Sequence, residues 1–141
     1  MSSGMPLAPG AILARRYRLI RALSEGGMGR VWVAEHVGLA REVAVKVLTD
    51  EAPLTPVTRD LFQREARATA RVECPHVVRV LDFDFTDDGF PFLVLERLVG
   101  ETLAERVLRA GALSPSDTAR LVDRAREEVG FVIAQRAVTT Y

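Results

Sequence analysis

Leu23-Ser24-Glu25-Gly26-Gly27-Met28-Gly29-Arg30-Val31 decides how this chain of 141 residues is read. Gly26, Gly27 and Gly29 crowd into one short turn between an apolar-rich run at Tyr17–Leu23 and another at Val31–Val33. Glycine has no Cβ, so its backbone enters conformations closed to other residues and can come close to a ligand. A glycine-rich turn between two strands can aim successive N–H groups at phosphate oxygens. The same turn also serves an ordinary hairpin. The choice depends on whether the rest of the chain supplies a cation for phosphates and an apolar seat for a base.

Outward from that turn, Tyr17–Leu23, Val31–Glu35 and Glu42–Leu48 read as three consecutive strands of an antiparallel meander. In the third, Val43, Val45 and Val47 share one face, and Ala44, Lys46 and Leu48 share the other. Lys46 is either a solvated strand lysine or the cation sought. Residues 50–57 read as a loop broken by Pro53 and Pro56. A helix is expected from Thr58 to Val72, with Leu61, Phe62, Glu65, Thr69 and Val72 on one face. Glu65 lies inside that stripe. It either escapes to water from the stripe's edge or meets a cation, since an unpaired buried charge is very costly.

Val77–Phe85 and Phe90–Arg97 read as a fourth and fifth strand, joined by a hairpin turn at Asp87-Asp88-Gly89. Glu101–Arg109 is a short helix that Gly111 stops, and Ser114-Pro115 opens a last helix with Ser114 as its cap. Leu121, Val122, Ala125, Val129, Val132 and Ile133 form the apolar stripe of that helix.

Composition narrows the partners. With 48% hydrophobic and 27% charged residues the chain can bury a core. Its 19 basic and 19 acidic residues leave a net charge of +0, so no basic excess points to nucleic acid or an anionic membrane. One cysteine, Cys74, makes no internal disulfide and fits a reducing, cytoplasmic compartment. Cys74, His36 and His76 are too few for a zinc site, and no metal ligands are assigned. No apolar run is long enough to span a bilayer. Met1–Gly10 lacks the apolar segment of a signal peptide, and residues 1–16 are expected to be a flexible tail. The glycine turn leads into a strand rather than a helix, which excludes a dinucleotide-binding Rossmann unit.

Taken in order, these features resemble the small lobe of a protein kinase, most closely the bacterial serine/threonine kinases. The residues that carry the resemblance are Ser24–Val31, Val43-Ala44-Val45-Lys46, Glu65 within Phe62-Gln63-Arg64-Glu65-Ala66, Cys74-Pro75-His76-Val77-Val78 and the hinge-like Leu95-Glu96-Arg97-Leu98-Val99-Gly100. It implies an α+β fold. A five-stranded antiparallel sheet with one helix occupies residues 17–95, a hinge 96–100, and the first helices of an incomplete large lobe 101–141.

The resemblance also implies roles. Leu23, Ser24, Glu25, Gly26, Gly27, Met28, Gly29, Arg30 and Val31 would cover a nucleotide. Lys46 would contact its α- and β-phosphates, and Glu65 would hold Lys46 by an ion pair. Val31 and Ala44 would roof the adenine, Leu95 would be the gatekeeper, and the backbone of Glu96 and Leu98 would meet the adenine edge. The implied cofactor is ATP, with magnesium by family although its protein ligands are absent here.

The sequence departs from the family pattern in two small ways. Ser24 replaces the first glycine of the loop, and Cys74 stands where histidine is usual. A larger departure is that His-Arg-Asp and Asp-Phe-Gly do not occur, and the likeness fades from Arg126 onward. The expectation is therefore a truncated or frameshifted, catalytically incomplete chain that binds ATP weakly. Leu95, Leu98, Leu103, Leu121 and Val122 would be left as an apolar patch. The alternative is a non-catalytic, pseudokinase-like interaction module that pairs with another kinase lobe or with itself through the small lobe. The protein substrate is not legible.

Overall fold

The computed structural model describes residues 7–26, 29–48 and 55–126. They form strands β1 (Ile12–Leu13), β2 (Tyr17–Gly26), β3 (Gly29–His36), β4 (Arg41–Val47), β5 (Val80–Phe85) and β6 (Pro91–Glu96), with helices α1 (Pro56–Ala70) and α2 (Leu103–Ala110). A further helix, α3, covers 115–126. The chain divides into two units. One holds the sheet and α1; the other holds residues 72–78 and the chain from Val99 onward.

The strands make one antiparallel sheet in the order β1-β2-β3-β4-β6-β5, so the fold is α+β as expected, with six strands rather than five. The extra strand comes from the segment read as a tail. Ile12 and Leu13 pair with Arg18 and Tyr17, the Gly10 amide donates to the Leu19 carbonyl, and Leu13 is buried. Two leucines and an alanine (Leu7, Leu13 and Ala11) meet the core, which gives the segment an apolar reason to stay on the sheet.

One face of the sheet carries the core. Leu19, Trp32, Ala34, Val43, Val45, Val47, Phe92 and Val94 are buried together there with Tyr17 and Leu13. The valine alternation read in Glu42–Leu48 produces this face directly. β2 departs twice from regular register, at Ile20 and at Leu23. Such bulges bend a strand and increase its twist.

The bending brings opposite edges of the sheet together. Arg16, in the β1–β2 turn, places Nη1 3.0 Å from Asp82 Oδ2 and Nη2 2.8 Å from Asp84 Oδ2, both on β5. The Tyr17 hydroxyl donates to Asp82 Oδ2 at 2.5 Å. Burial first, then the hydrogen bond to Asp82 and its charge, push the Tyr17 phenol above its ordinary value; the Arg16 charge opposes them. Because the folded-state value lies above the unfolded one, this contribution is intact below about pH 10 and is lost as pH rises beyond it. Urea unfolding of the wild type is expected to weaken between pH 9 and pH 11 more steeply than that of Tyr17→Phe. Parallel pH profiles for the two proteins would contradict this.

Turns and caps follow the local chemistry. Thr55 caps α1 and Pro56 is its first residue, so the proline expected to break the chain begins the helix instead. Gly89 closes the β5–β6 turn at φ 86, a left-handed conformation that suits glycine. In the second unit Thr102 and Glu105 form a capping box on α2, and the Asp117 amide donates to Ser114 Oγ at the start of α3.

Candidate functional site

The glycine stretch is the closed end of a β-hairpin. β2 runs to Gly26, β3 starts at Gly29, and these two residues face each other. Gly27 and Met28, which connect them and were expected to help cover a nucleotide, lie outside the described residues. Ala22 faces Trp32 and Ser24 faces Val31, which leaves Leu23 as the unopposed residue of a bulge. Glu25 is opposite Arg30.

Strand register then assembles residues that are distant in sequence. Val31 is opposite Lys46, and Lys46 is opposite Leu93. On the next rung of the same face, Val33 is opposite Ala44 and Ala44 is opposite Leu95. Directly opposed residues share a face of the sheet. Val31, Ala44, Lys46 and Leu95 therefore lie together on the face turned away from the valine core. Val33 and Leu93 complete the two rungs. They were not singled out from the sequence, because only the register shows that they flank Ala44 and Lys46.

Lys46 is half-buried and has no ion-pair or hydrogen-bond partner among the described residues. It is an ammonium on a face with Val31, Ala44 and Leu93, and no carboxylate among the described residues pairs with it. Such a position suits an anion brought from outside. Glu96 is tied to the start of β5: its amide donates to the Arg79 carbonyl at 3.0 Å, and its Oε1 accepts the Arg79 amide at 2.9 Å. Leu98 is exposed.

Glu65 does not join Lys46. Phe62, on the stripe expected to face the sheet, does so, but the contact face is turned by about one position, toward Ala66 and away from Glu65. Phe62 meets Phe83 and Phe85 at ring-centroid distances of 6.1 and 5.7 Å, and the Arg59 guanidinium lies 4.3 Å over the Phe85 ring. Ala66 is the buried residue one turn on. Leu61, Glu65 and Thr69 are exposed, and no ion pair joins Glu65 to Lys46. β5 presents two aromatic rings to the helix, and an aromatic or alanine face gains more from that contact than a carboxylate does. Of the two fates open to Glu65, the structure shows escape to water.

Comparison with known proteins then decides the family. No family model matches the chain. It is 39% identical over 127 residues to serine/threonine-protein kinase pkn2 of Myxococcus xanthus, across 89% of this chain and 15% of that protein. It is 40% identical over 124 residues to the DNA damage-responsive serine/threonine-protein kinase RqkA of Deinococcus radiodurans, across 86% of this chain and 18% of that protein. The crystal structure of the Mycobacterium tuberculosis PknI kinase domain superposes with a TM-score of 0.74 at 26% identity, over 89% of this chain and 51% of that one. The chain belongs to the bacterial serine/threonine protein kinase family.

In this kinase-family chain the face that carries Val31, Ala44, Lys46 and Leu95 is the candidate site, and α1 packs on that same face at the β5 edge. The register identifies the shared face because Phe83 is opposite Leu93, which is opposite Lys46. No helix among the described residues is long and apolar enough to cross a membrane. Four of the five residues expected to form an apolar patch, Leu98, Leu103, Leu121 and Val122, are individually exposed, and Leu95 is half-buried.

Proposed function

We propose that this chain supplies the nucleotide-binding half of a serine/threonine kinase site, with ATP as ligand. The observation that carries the reading is the pair of rungs Val31–Lys46–Leu93 and Val33–Ala44–Leu95, which run up to the glycine hairpin. Val31, Ala44 and Leu95 offer an apolar seat for adenine. Lys46 offers a cation, with no carboxylate partner among the described residues, for the α- and β-phosphates, and the Leu23–Val31 hairpin offers cover. An amide already donated within the sheet cannot serve the adenine ring, so Glu96 would contribute its carbonyl and Leu98 its backbone. Glu65 takes part only where α1 rolls on β5, by roughly the 100° that separates neighbouring helix positions.

Magnesium has no assigned ligand among these residues, because Asp-Phe-Gly and the catalytic-loop asparagine are not in the sequence. The 141-residue polypeptide is therefore expected to bind ATP weakly and to transfer no phosphoryl group. A fluorescent ATP analogue titrated with magnesium checks the first point, and saturable binding displaced by ATP is expected. Labelled phosphate transferred to a generic protein substrate, and lost on Lys46→Met, would overturn the second. A cytoplasmic setting and a protein substrate belong to the same proposal.

Leu103, Leu121 and Val122, exposed in the second unit, favour a second reading, an interaction module that pairs with a kinase lobe or a second copy. A stable dimer that binds no nucleotide would favour this reading over the first.

A further inference from the structure

We infer that Arg16, at the far edge of the sheet from α1, seats that helix through β5. β5 carries different side chains on its two faces. Asp82 and Asp84 are opposite Val94 and Phe92, on the core face. Phe83 is opposite Leu93, on the face where α1 lies. The core-face aspartates bind Arg16, and the rings of Phe83 and Phe85 bind Phe62 and Arg59 of α1. β5 is the principal packing partner of α1.

Each aspartate works in two directions. Asp82 Oδ1 accepts the Phe83 amide at 2.9 Å while its Oδ2 takes Arg16 and Tyr17. Asp84 Oδ1 accepts the Phe85 amide at 2.8 Å while its Oδ2 takes Arg16. The amides of the two phenylalanines that seat α1 are therefore held by the two carboxylates that Arg16 holds. Burial works against the charge on Arg16. The charge of Asp82, with Tyr17 and Asp84, outweighs it, and the guanidinium stays above its ordinary value.

The turn that presents Arg16 is itself constrained. Ala14 and Arg15 have φ of 46° and 57°, the left-handed region, and the Arg16 amide donates to the Leu13 carbonyl at 3.0 Å. Non-glycine residues hold such angles where surrounding contacts impose them. An exposed ion pair contributes little singly, whereas one guanidinium shared by two carboxylates, each also bonded to backbone, forms a network. Arg16 is thus a positioning residue for α1, and the consequence for Glu65 and Lys46 rests on the nucleotide-site reading.

Amide hydrogen exchange on the full chain without nucleotide tests the mechanical link. In Arg16→Ala, amides of residues 62–70 are expected to exchange about fivefold faster. In Arg18→Ala, which breaks the neighbouring Arg18–Glu35 pair, they should keep the wild-type rate. Wild-type exchange across 62–70 in Arg16→Ala, with acceleration confined to β1, β2 and β5, would overturn the inference. Where Arg16→Ala does not fold, Arg16→Lys keeps the charge but loses the fork that bridges two carboxylates, and the same acceleration is expected. Wild-type exchange in Arg16→Lys, or failure of both variants to fold, would equally overturn a role specific to α1. Nucleotide titration of the wild type stays separate. Absent binding there removes the proposed function and leaves the exchange result standing.

Discussion

Replacing Phe92 by alanine is expected to destabilise the chain by about 3–5 kcal/mol. Phe92 is fully buried at the centre of the core face, between Val47 on β4 and Asp84 on β5, and its ring meets Tyr17 edge-on at 6.1 Å. Truncation removes apolar area from the centre of the core and leaves a cavity that the strands cannot close without shifting register. A single domain of this kind has a total stability of roughly 5–15 kcal/mol, so the variant should sit near the edge of folding. Urea unfolding followed by the fluorescence of Trp32, itself in that core, reads the effect. Leu93→Ala is the control, one residue along β6 on the opposite, half-buried face, and should cost clearly less. Equal losses at the two positions would mean that the core is not divided between faces as described.

The second large effect is on binding. Lys46→Ala is expected to weaken nucleotide affinity about tenfold to a hundredfold, the range for loss of a hydrogen bond to a charged group. Stability should change by no more than about 0.5 kcal/mol. Both halves follow from one fact: Lys46 has no partner among the described residues, so its removal orphans no buried carboxylate. Titration with the fluorescent ATP analogue, alongside urea unfolding of the same variant, checks the two together. Unchanged affinity would remove Lys46 from the site. A large stability loss would show that its stem packs more tightly than its half-burial indicates.

Much of this molecule is legible in its sequence. The glycine hairpin, the alternation of Val43, Val45 and Val47 against Ala44 and Lys46, the cap at Ser114 and the stop at Gly111 rest on interactions within a few residues. Side-chain period and turn chemistry express such interactions directly. The motifs Ser24–Val31, Val43–Lys46, Phe62–Ala66, Cys74–Val78 and Leu95–Gly100, taken in order, carried the family resemblance, and the identities to bacterial kinases agree with it.

What required the tertiary structure lies between elements. The helical period in α1 put Glu65 on one stripe with Phe62, whereas the rings of Phe83 and Phe85 take Phe62 and leave Ala66 rather than Glu65 buried, a choice that only a contacting surface makes. Residues 7–16 looked like a tail because two short apolar side chains do not announce a strand, yet the sheet edge and the core hold them. The bond from Arg16 to Asp84 spans 68 positions, and no local pattern encodes a contact of that separation. The sequence by itself thus determined which residue types line the candidate face. Only the curl and register of the sheet decided that Lys46 stands there without a partner among the described residues while Glu65 faces water, since both depend on how distant strands meet rather than on how any one of them is built.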